Sequence, residues 1–287
     1  NIIDENAKSN FIGYDKLKSE MNLIRFREVE IENGMNFHLV FDNTPFYAES
    51  GGQIGDTGSI ESSSKEVIEI IDTIKDNDYI IHVTNKMPYN QDSPFTGIVD
   101  SKRRQQITSN HTSTHLLNLA LKKILGTNIE QRGSMISEES FRFDFSHKMK
   151  LSKEELNKVE EYVNNLIKES IDLIEERSAD YKEVIKKGAV GLFSEKYGEK
   201  VRTIKFNDSY ELCGGTHVKN TKDIGSFKII SEGSQAFGIR RIVATSSEKK
   251  ILEENLKQKS IKEKAANDQA NRLLKKENES INKIKGK

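Results

Sequence analysis

The chain has one cysteine, three prolines and no tryptophan in 287 residues, and no excess charge of either sign. A single cysteine cannot close an internal disulfide. The thiol of Cys213 is therefore free or metal-bound, which suits a reducing, cytoplasmic setting. No run of 18 apolar residues occurs and no signal-peptide pattern opens the chain, so neither a membrane span nor secretion is expected. Lys and Arg total 45, as do Asp and Glu, so global charge makes no case for an anionic partner. Contact with nucleic acid must come from a local patch. The chain begins at Asn1 rather than Met, as expected of a fragment or a processed form.

The hydrophobic fraction, 34%, is enough to bury a core beneath a heavily charged surface. Residues 1–28 read as a lead-in or linker, with FIGYDKLKSEMNLIRF mixing an aromatic start and a short helical run. From Val29 the apolar residues alternate, and Asn33-Gly34 is a hairpin turn signal. Short strands at close spacing through Asp100 suggest a small barrel or sandwich over 29–100. The period becomes helical from Ser101 to a stop at Gly126. FRFDFS, KVRTIKF, SYELC, IGSFKIISEG and IRRIVATSS read as strands, and YKEVIKKG as a short helix. Ser152 and Glu155 form a capping-box signature ahead of an amphipathic helix. Residues 101–247 therefore read as an α+β domain. From 248 to 287 the chain is charged, with sparse apolar positions at 252, 256, 273 and 274. That pattern fits a solvated helix or tail, or a helix continuing into a partner segment.

Two pairs of metal-ligand type stand out. His111 and His115 are four apart on a helix, so both imidazoles can face one ion. Cys213 and His217 have the same spacing and follow a strand, with Gly214 and Gly215 allowing a tight turn between them. Three nitrogens and one sulfur suit zinc. Four protein ligands would make a closed, structural site; three with a water would make an open, catalytic one. The spacing does not choose between them. A zinc peptidase helix needs glutamate directly after its first histidine; here that position is Thr112, which disfavours peptide hydrolysis. His38, His82 and His147 read as ordinary single placements.

FYAESGGQIGDTG, residues 46–58, is rich in glycine but has neither the lysine nor the following helix of a phosphate loop. It fits either a plain hairpin turn or a loop whose backbone closely approaches a ligand or another domain.

FYAESGGQIGDTG, HTSTH and ELCGGTH, in this order and at these separations, resemble the editing region of alanyl-tRNA synthetases and the free-standing AlaX proteins. QRGSM, FRFDFSH, GAVGLFSEKYGEKVR and FGIRRIVATS agree with it. FIGYDKL is similar to the stretch just before that region in the full synthetase. The resemblance implies a small β-barrel over 29–100, an α+β editing core over 101–247, and the start of a helix from 248. It implies one zinc ion held by His111, His115, Cys213 and His217. The implied activity is hydrolysis of the ester joining serine or glycine to tRNA(Ala), without aminoacylation. The implied partner is the acceptor end of that tRNA, together with flanking domains of a full synthetase.

Gln131 matches a residue that the family places in the editing pocket, and Thr114 is a candidate reader of a serine hydroxyl. Glu49 stands where some AlaX proteins have a threonine. Arg240 and Arg241, in FGIRRI, are the first candidates for RNA contact among the basic clusters; the others are Lys102-Arg103-Arg104, Lys122-Lys123 and Lys186-Lys187. The alternative reading is a non-catalytic tRNA-binding module with a structural zinc.

Overall fold

The computed structural model describes residues 2, 8–32, 34–191 and 197–285. The first part consists of strands: β1 (Asn10–Phe11), β2 (Lys18–Met21), β3 (Leu23–Ile31), β4 (Gly34–Phe41), β5 (Asn43–Thr44), β6 (Gly58–Ser62), β7 (Val67–Ile70), β8 (Asp72–Asp76), β9 (Tyr79–Thr84) and β10 (Phe95–Val99). They pair as two antiparallel four-stranded sheets, ordered β2-β10-β6-β7 and β3-β4-β9-β8, while β1 pairs with β5 in parallel. In the β3–β4 hairpin Ile31 stands opposite Gly34; Asn33 of the expected turn lies outside the described residues.

The barrel implied by the resemblance does not close among the described residues. The chain passes between the sheets at two corners that break the ladder. At Asn22, between β2 and β3, the Asp42 carboxylate accepts the backbone N–H at 2.8 Å and the side-chain amide at 2.9 Å. At Ile71, between β7 and β8, the N–H donates to Val83 O at 2.9 Å. The result is a sandwich over Met21, Leu39, Phe41, Phe46, Ile60, Ile70 and Phe95. The stretch 18–21, expected as part of a short helical run, is strand β2. Its one apolar side chain, Met21, is fully buried in the sandwich core.

The α+β part follows. Helix α1 (Ser101–Leu125) starts where the Asp100 carboxylate accepts the N–H groups of Lys102 and Arg103, and it ends at Gly126, whose φ is 111°. Then come β11 (Gln131–Ile136), β12 (Phe141–Ser146), α2 (Lys153–Lys168), β13 (Ile174–Asp180), α3 (Tyr181–Lys186), β14 (Lys200–Phe206), β15 (Ser209–Leu212), a 3-10 turn at Thr221–Ile224, β16 (Lys228–Ala236) and β17 (Ile239–Thr245). The sheets are β11-β12-β17-β16 and β13-β14-β15. Ser152 and Glu155 make both bonds of the expected capping box. Phe141, Phe143 and Phe145 alternate inward from β12 onto Leu116, Leu117, Val159 and Val163. GAVGLFSEKYGEKVR runs into β14, with residues 192–196 outside the described set.

Helix α4 (Glu248–Lys285) is a separate unit, continuous and helical, on which Leu252, Leu256, Leu273 and Leu274 are exposed. No helix among the described residues is long and apolar enough to cross a membrane.

The sandwich is fastened to α1 by a buried charge. Arg104 forms an ion pair with Asp56 and donates to Gly13 O at 2.8 Å and Pro45 O at 2.9 Å. Asp56 also accepts the Tyr47 N–H at 2.7 Å. A buried pair is tolerable when its remaining donors and acceptors are satisfied, as here. Arg104, one of the basic residues considered for RNA contact, is thus internal.

His82 is fully buried in the sandwich. Its Nδ1–H donates to Leu39 O at 3.1 Å, and its Nε2 accepts the Thr44 hydroxyl at 2.7 Å. Burial pushes its pKa from 6.5 down to about 4. It stays neutral in the folded protein while the unfolded chain takes up a proton below about pH 6.5. Stability present above that pH should be lost as pH falls toward 4, by about 1.4 kcal/mol per pH unit. Urea unfolding between pH 7 and 5 should show this slope in the wild type and a shallower one in His82→Gln. Equal slopes would contradict it.

Candidate metal centre and its cavity

Helix α1 is buried along most of its length, yet only its second half is apolar. Residues from Thr108 to His115 are polar and 7% exposed or less. A polar helical segment is usually solvated; this one is enclosed, and each side chain needs a partner inside the fold. Thr112 and Thr114 donate back to carbonyls one turn earlier, at Thr108 and Asn110. The Asn110 amide donates to Ser137 O, while its oxygen accepts from Ser246. His111 and His115 are left facing the strand-to-loop junction after β15.

That junction carries Cys213 and His217. The ligand atoms of His111, His115, Cys213 and His217 all lie within 4.8 Å of one another. Cys213 Sγ is 3.4 Å from His111 Nε2 and 3.3 Å from His217 Nε2. The four residues expected to share an ion are thus brought together and can hold one. Of the two glycines between Cys213 and His217, only Gly215 is sterically required, since a Cβ there would lie 2.0 Å from His111. A Cβ on Gly214 would meet nothing, and neither residue has positive φ. Close approach, rather than backbone freedom, fixes the second glycine.

Each imidazole presents its outer nitrogen to an oxygen. His111 Nδ1 lies 2.7 Å from Gln53 Oε1, and His217 Nδ1 lies 3.1 Å from Thr112 Oγ1. His115 Nδ1 is 3.3 Å from Glu211 Oε2, an ion-pair distance without hydrogen-bond alignment. Glu211 is steadied by Asn118 at 3.1 Å. Oxygen partners on the outer nitrogens fix the tautomer and turn the other nitrogens inward, as metal-binding histidines require. Burial would push the Cys213 thiol up, but the His111 and His217 imidazoles beside it hold it well below its ordinary value. Burial holds His217 well below its ordinary value as well. Burial opposes protonation of His115, yet the Glu211 carboxylate and Cys213 raise its pKa to about 9. A thiolate and a neutral His217 are in the ligand state, whereas His115 must give up a proton to bind a cation. The donor set and the outer oxygens fit a borderline-soft divalent metal.

Glycine in FYAESGGQIGDTG has a specific purpose. The loop lies against β11: Ile136 N–H donates to Gly52 O at 2.7 Å and Ile54 N–H to Ile136 O at 3.2 Å. Gly51 and Gly52 have φ of 60° and 87°, and a Cβ on Gly52 would lie 2.5 Å from Ser134 O. Of the two expectations for this segment, close approach to another part of the protein is the one observed. The approach delivers Gln53, fully buried, to His111; Gln53 Oε1 also accepts the Thr216 N–H at 2.9 Å.

The cluster opens on a cavity of about 650 Å³ lined by His111, His115 and Cys213 and also by Thr114 and Gln131. Thr114 Oγ1 donates to Asn110 O, and Gln131 Nε2 donates to Ser134 Oγ at 3.1 Å. Glu49 is exposed and outside the cavity wall. Arg240 and Arg241 are committed elsewhere. Arg240 pairs with Glu232, and Arg241 grips Asp144 with bonds of 2.6 and 2.7 Å. Sequence reasoning missed Gln53, Glu211 and Thr112 as supports. No local pattern in the sequence marks these three as supports.

A mixed sandwich and α+β fold gathers three imidazoles and a thiol beside a cavity, a group that could hold a metal ion. Comparison with known sequences makes the assignment narrower. Residues 201–243 match the family described as threonyl and alanyl tRNA synthetase second additional domain, and residues 1–102 match tRNA synthetases class II (A). Alanine-tRNA ligase of Christiangramia forsetii is 47% identical over 302 residues, covering 100% of this chain and 34% of the relative. Those of Bacteroides fragilis and Cytophaga hutchinsonii are each 47% identical, over 85% and 86% of this chain and 28% of each relative. The chain belongs to the alanyl-tRNA synthetase family. It spans about a third or less of the length of the curated relatives it matches.

If Gln53 sets the His111 tautomer, Gln53→Leu should weaken metal binding by about 10- to 100-fold. Cys213→Ala should abolish stoichiometric binding. Competition with a chromophoric chelator reads both, and unchanged affinity in Gln53→Leu would refute that role.

Proposed function

We propose that this chain is a zinc-containing editing hydrolase that removes serine or glycine from mischarged tRNA(Ala). The observation that carries the reading is the His111, His115, Cys213 and His217 cluster opening on a cavity walled by Thr114 and Gln131. Kinship with alanine-tRNA ligases supports the substrate class. The association with tRNA and with other parts of a longer synthetase follows from the same kinship.

Three nitrogens and one sulfur would hold the zinc; were one of the four to give way, the ion would supply a Lewis acid able to polarise a carbonyl or lower the pKa of water. The protein's own groups do the rest. Thr114 gives its hydroxyl proton to Asn110 O, so its oxygen faces the cavity as an acceptor. A serine hydroxyl can donate to it. Gln131 donates one amide proton to Ser134, which fixes the side chain and leaves its carbonyl oxygen to accept. An alanine methyl group offers no donor to either. A site built to hydrogen-bond a hydroxyl discriminates against its absence far better than an apolar pocket does against its presence. Glycine would enter on size alone.

Wild-type protein should deacylate Ser-tRNA(Ala) and Gly-tRNA(Ala) and leave Ala-tRNA(Ala) largely intact, while Cys213→Ala should not deacylate any of them. Thr114→Val keeps the shape and removes the acceptor. It should cut the serine-over-alanine ratio of kcat/KM by about tenfold, the worth of one hydrogen bond. Equal deacylation by wild type and Cys213→Ala would overturn the hydrolase. A metal-loaded chain that binds tRNA but leaves the ester intact would favour the non-catalytic module instead.

A further inference from the structure

FIGYDKL, before the sandwich, plays no part in the mechanism above, yet Tyr14 reaches the metal loop. Its hydroxyl donates to Gly214 O at 2.6 Å, across 200 residues of sequence. Arg202, on β14, donates through one guanidinium nitrogen to Cys213 O at 2.8 Å and Gly215 O at 2.7 Å. The consecutive carbonyls of Cys213, Gly214 and Gly215 are therefore all taken by these two side chains.

The two side chains also hold each other. The Arg202 guanidinium lies 3.9 Å from the centre of the Tyr14 ring, a cation–π contact. Glu175 accepts from Arg202 Nε at 2.7 Å. Arg177 bonds Glu175 and grips Asp15, the residue after Tyr14, at 2.6 and 2.7 Å. Phe11 packs edge-on against Tyr14 at 4.8 Å. The N-terminal segment is thus pinned to β13 and β14 beside the loop.

We propose that Tyr14 and Arg202 are positioning residues that set the direction of the Cys213 sulfur. Drawing three successive carbonyls outward turns the loop's amides inward. Gly215 N–H then points at Cys213 Sγ, 3.4 Å away, and Thr216 N–H donates to Gln53 Oε1. The same turn brings the Gly215 backbone against the His111 ring, where no side chain fits. The N-terminal segment therefore completes the centre, although all four ligands lie beyond residue 110.

The inference rests on the cluster being a metal site, and its test separates the two ideas. Co2+ is titrated into wild type, Tyr14→Phe and Arg202→Lys, recording the thiolate-to-metal charge-transfer band and the d–d bands. Tyr14→Phe keeps the ring and its stacking and loses only the bond to Gly214. It should leave the unfolding transition of the metal-free protein nearly unchanged, weaken Co2+ binding by about tenfold and alter the d–d envelope. Arg202→Lys loses the fork and should weaken binding more. Wild-type affinity and spectra in Tyr14→Phe would overturn the positioning role while leaving the metal site standing. A wild type without a charge-transfer band would overturn both.

Discussion

A single amide side chain joins the three parts of the protein that meet at the centre. Gln53 is carried by the sandwich, yet its oxygen lies against His111 of α1 and accepts from Thr216 of the cysteine loop. Its nitrogen donates to Thr216 Oγ1 at 3.0 Å. An unpaired amide at zero exposure would cost more than one hydrogen bond returns. Gln53 is therefore satisfied only when sandwich, helix and loop are docked together. The glycines at 51 and 52 give the backbone its positive φ, Gly52 lets it come close enough, and the Arg104–Asp56 pair holds the sandwich two turns earlier on α1.

The centre is thereby prepared from several directions. Oxygens on one side fix the outer nitrogens of the three imidazoles, while Arg202 and Tyr14 draw the loop carbonyls away on the other. Four donors stay within a few ångströms of one another where their surroundings fix them. The buried polar half of α1 does this on its side through back-bonded threonines and the Asn110 bonds to residues 137 and 246. The cost is a helix whose polar half cannot form outside this fold.

Much of this was legible in sequence. Equal four-residue spacing named all four cluster members, and alternation or helical period gave β12, the β14-to-β17 strands, α1 and α2. Strand spacing left barrel and sandwich both open and the resemblance implied the barrel; the difference turns on two single-residue corners, Asn22 and Ile71, which carry no distinctive pattern. Strand β2 was missed because four residues are too few to display a period. Gln53, Glu211, Tyr14 and Arg202 were not legible as supports for a different reason. Each acts across a separation of at least 11 residues, on a partner that no local pattern identifies.

The arginines show what a charge pattern leaves out, the partner each cation already has. Arg240 and Arg241 are adjacent and basic, yet they project to opposite faces of β17 as strand geometry demands. Each meets a carboxylate, Glu232 on β16 and Asp144 on β12, so the pair fastens the four-stranded sheet on both sides. A guanidinium already bidentate to a carboxylate gains little from a phosphate, because the new bond must replace an equally good one. Asp144 and Glu232 are in turn spaced to match β17 through the antiparallel register, with Asp144 directly opposite Arg241.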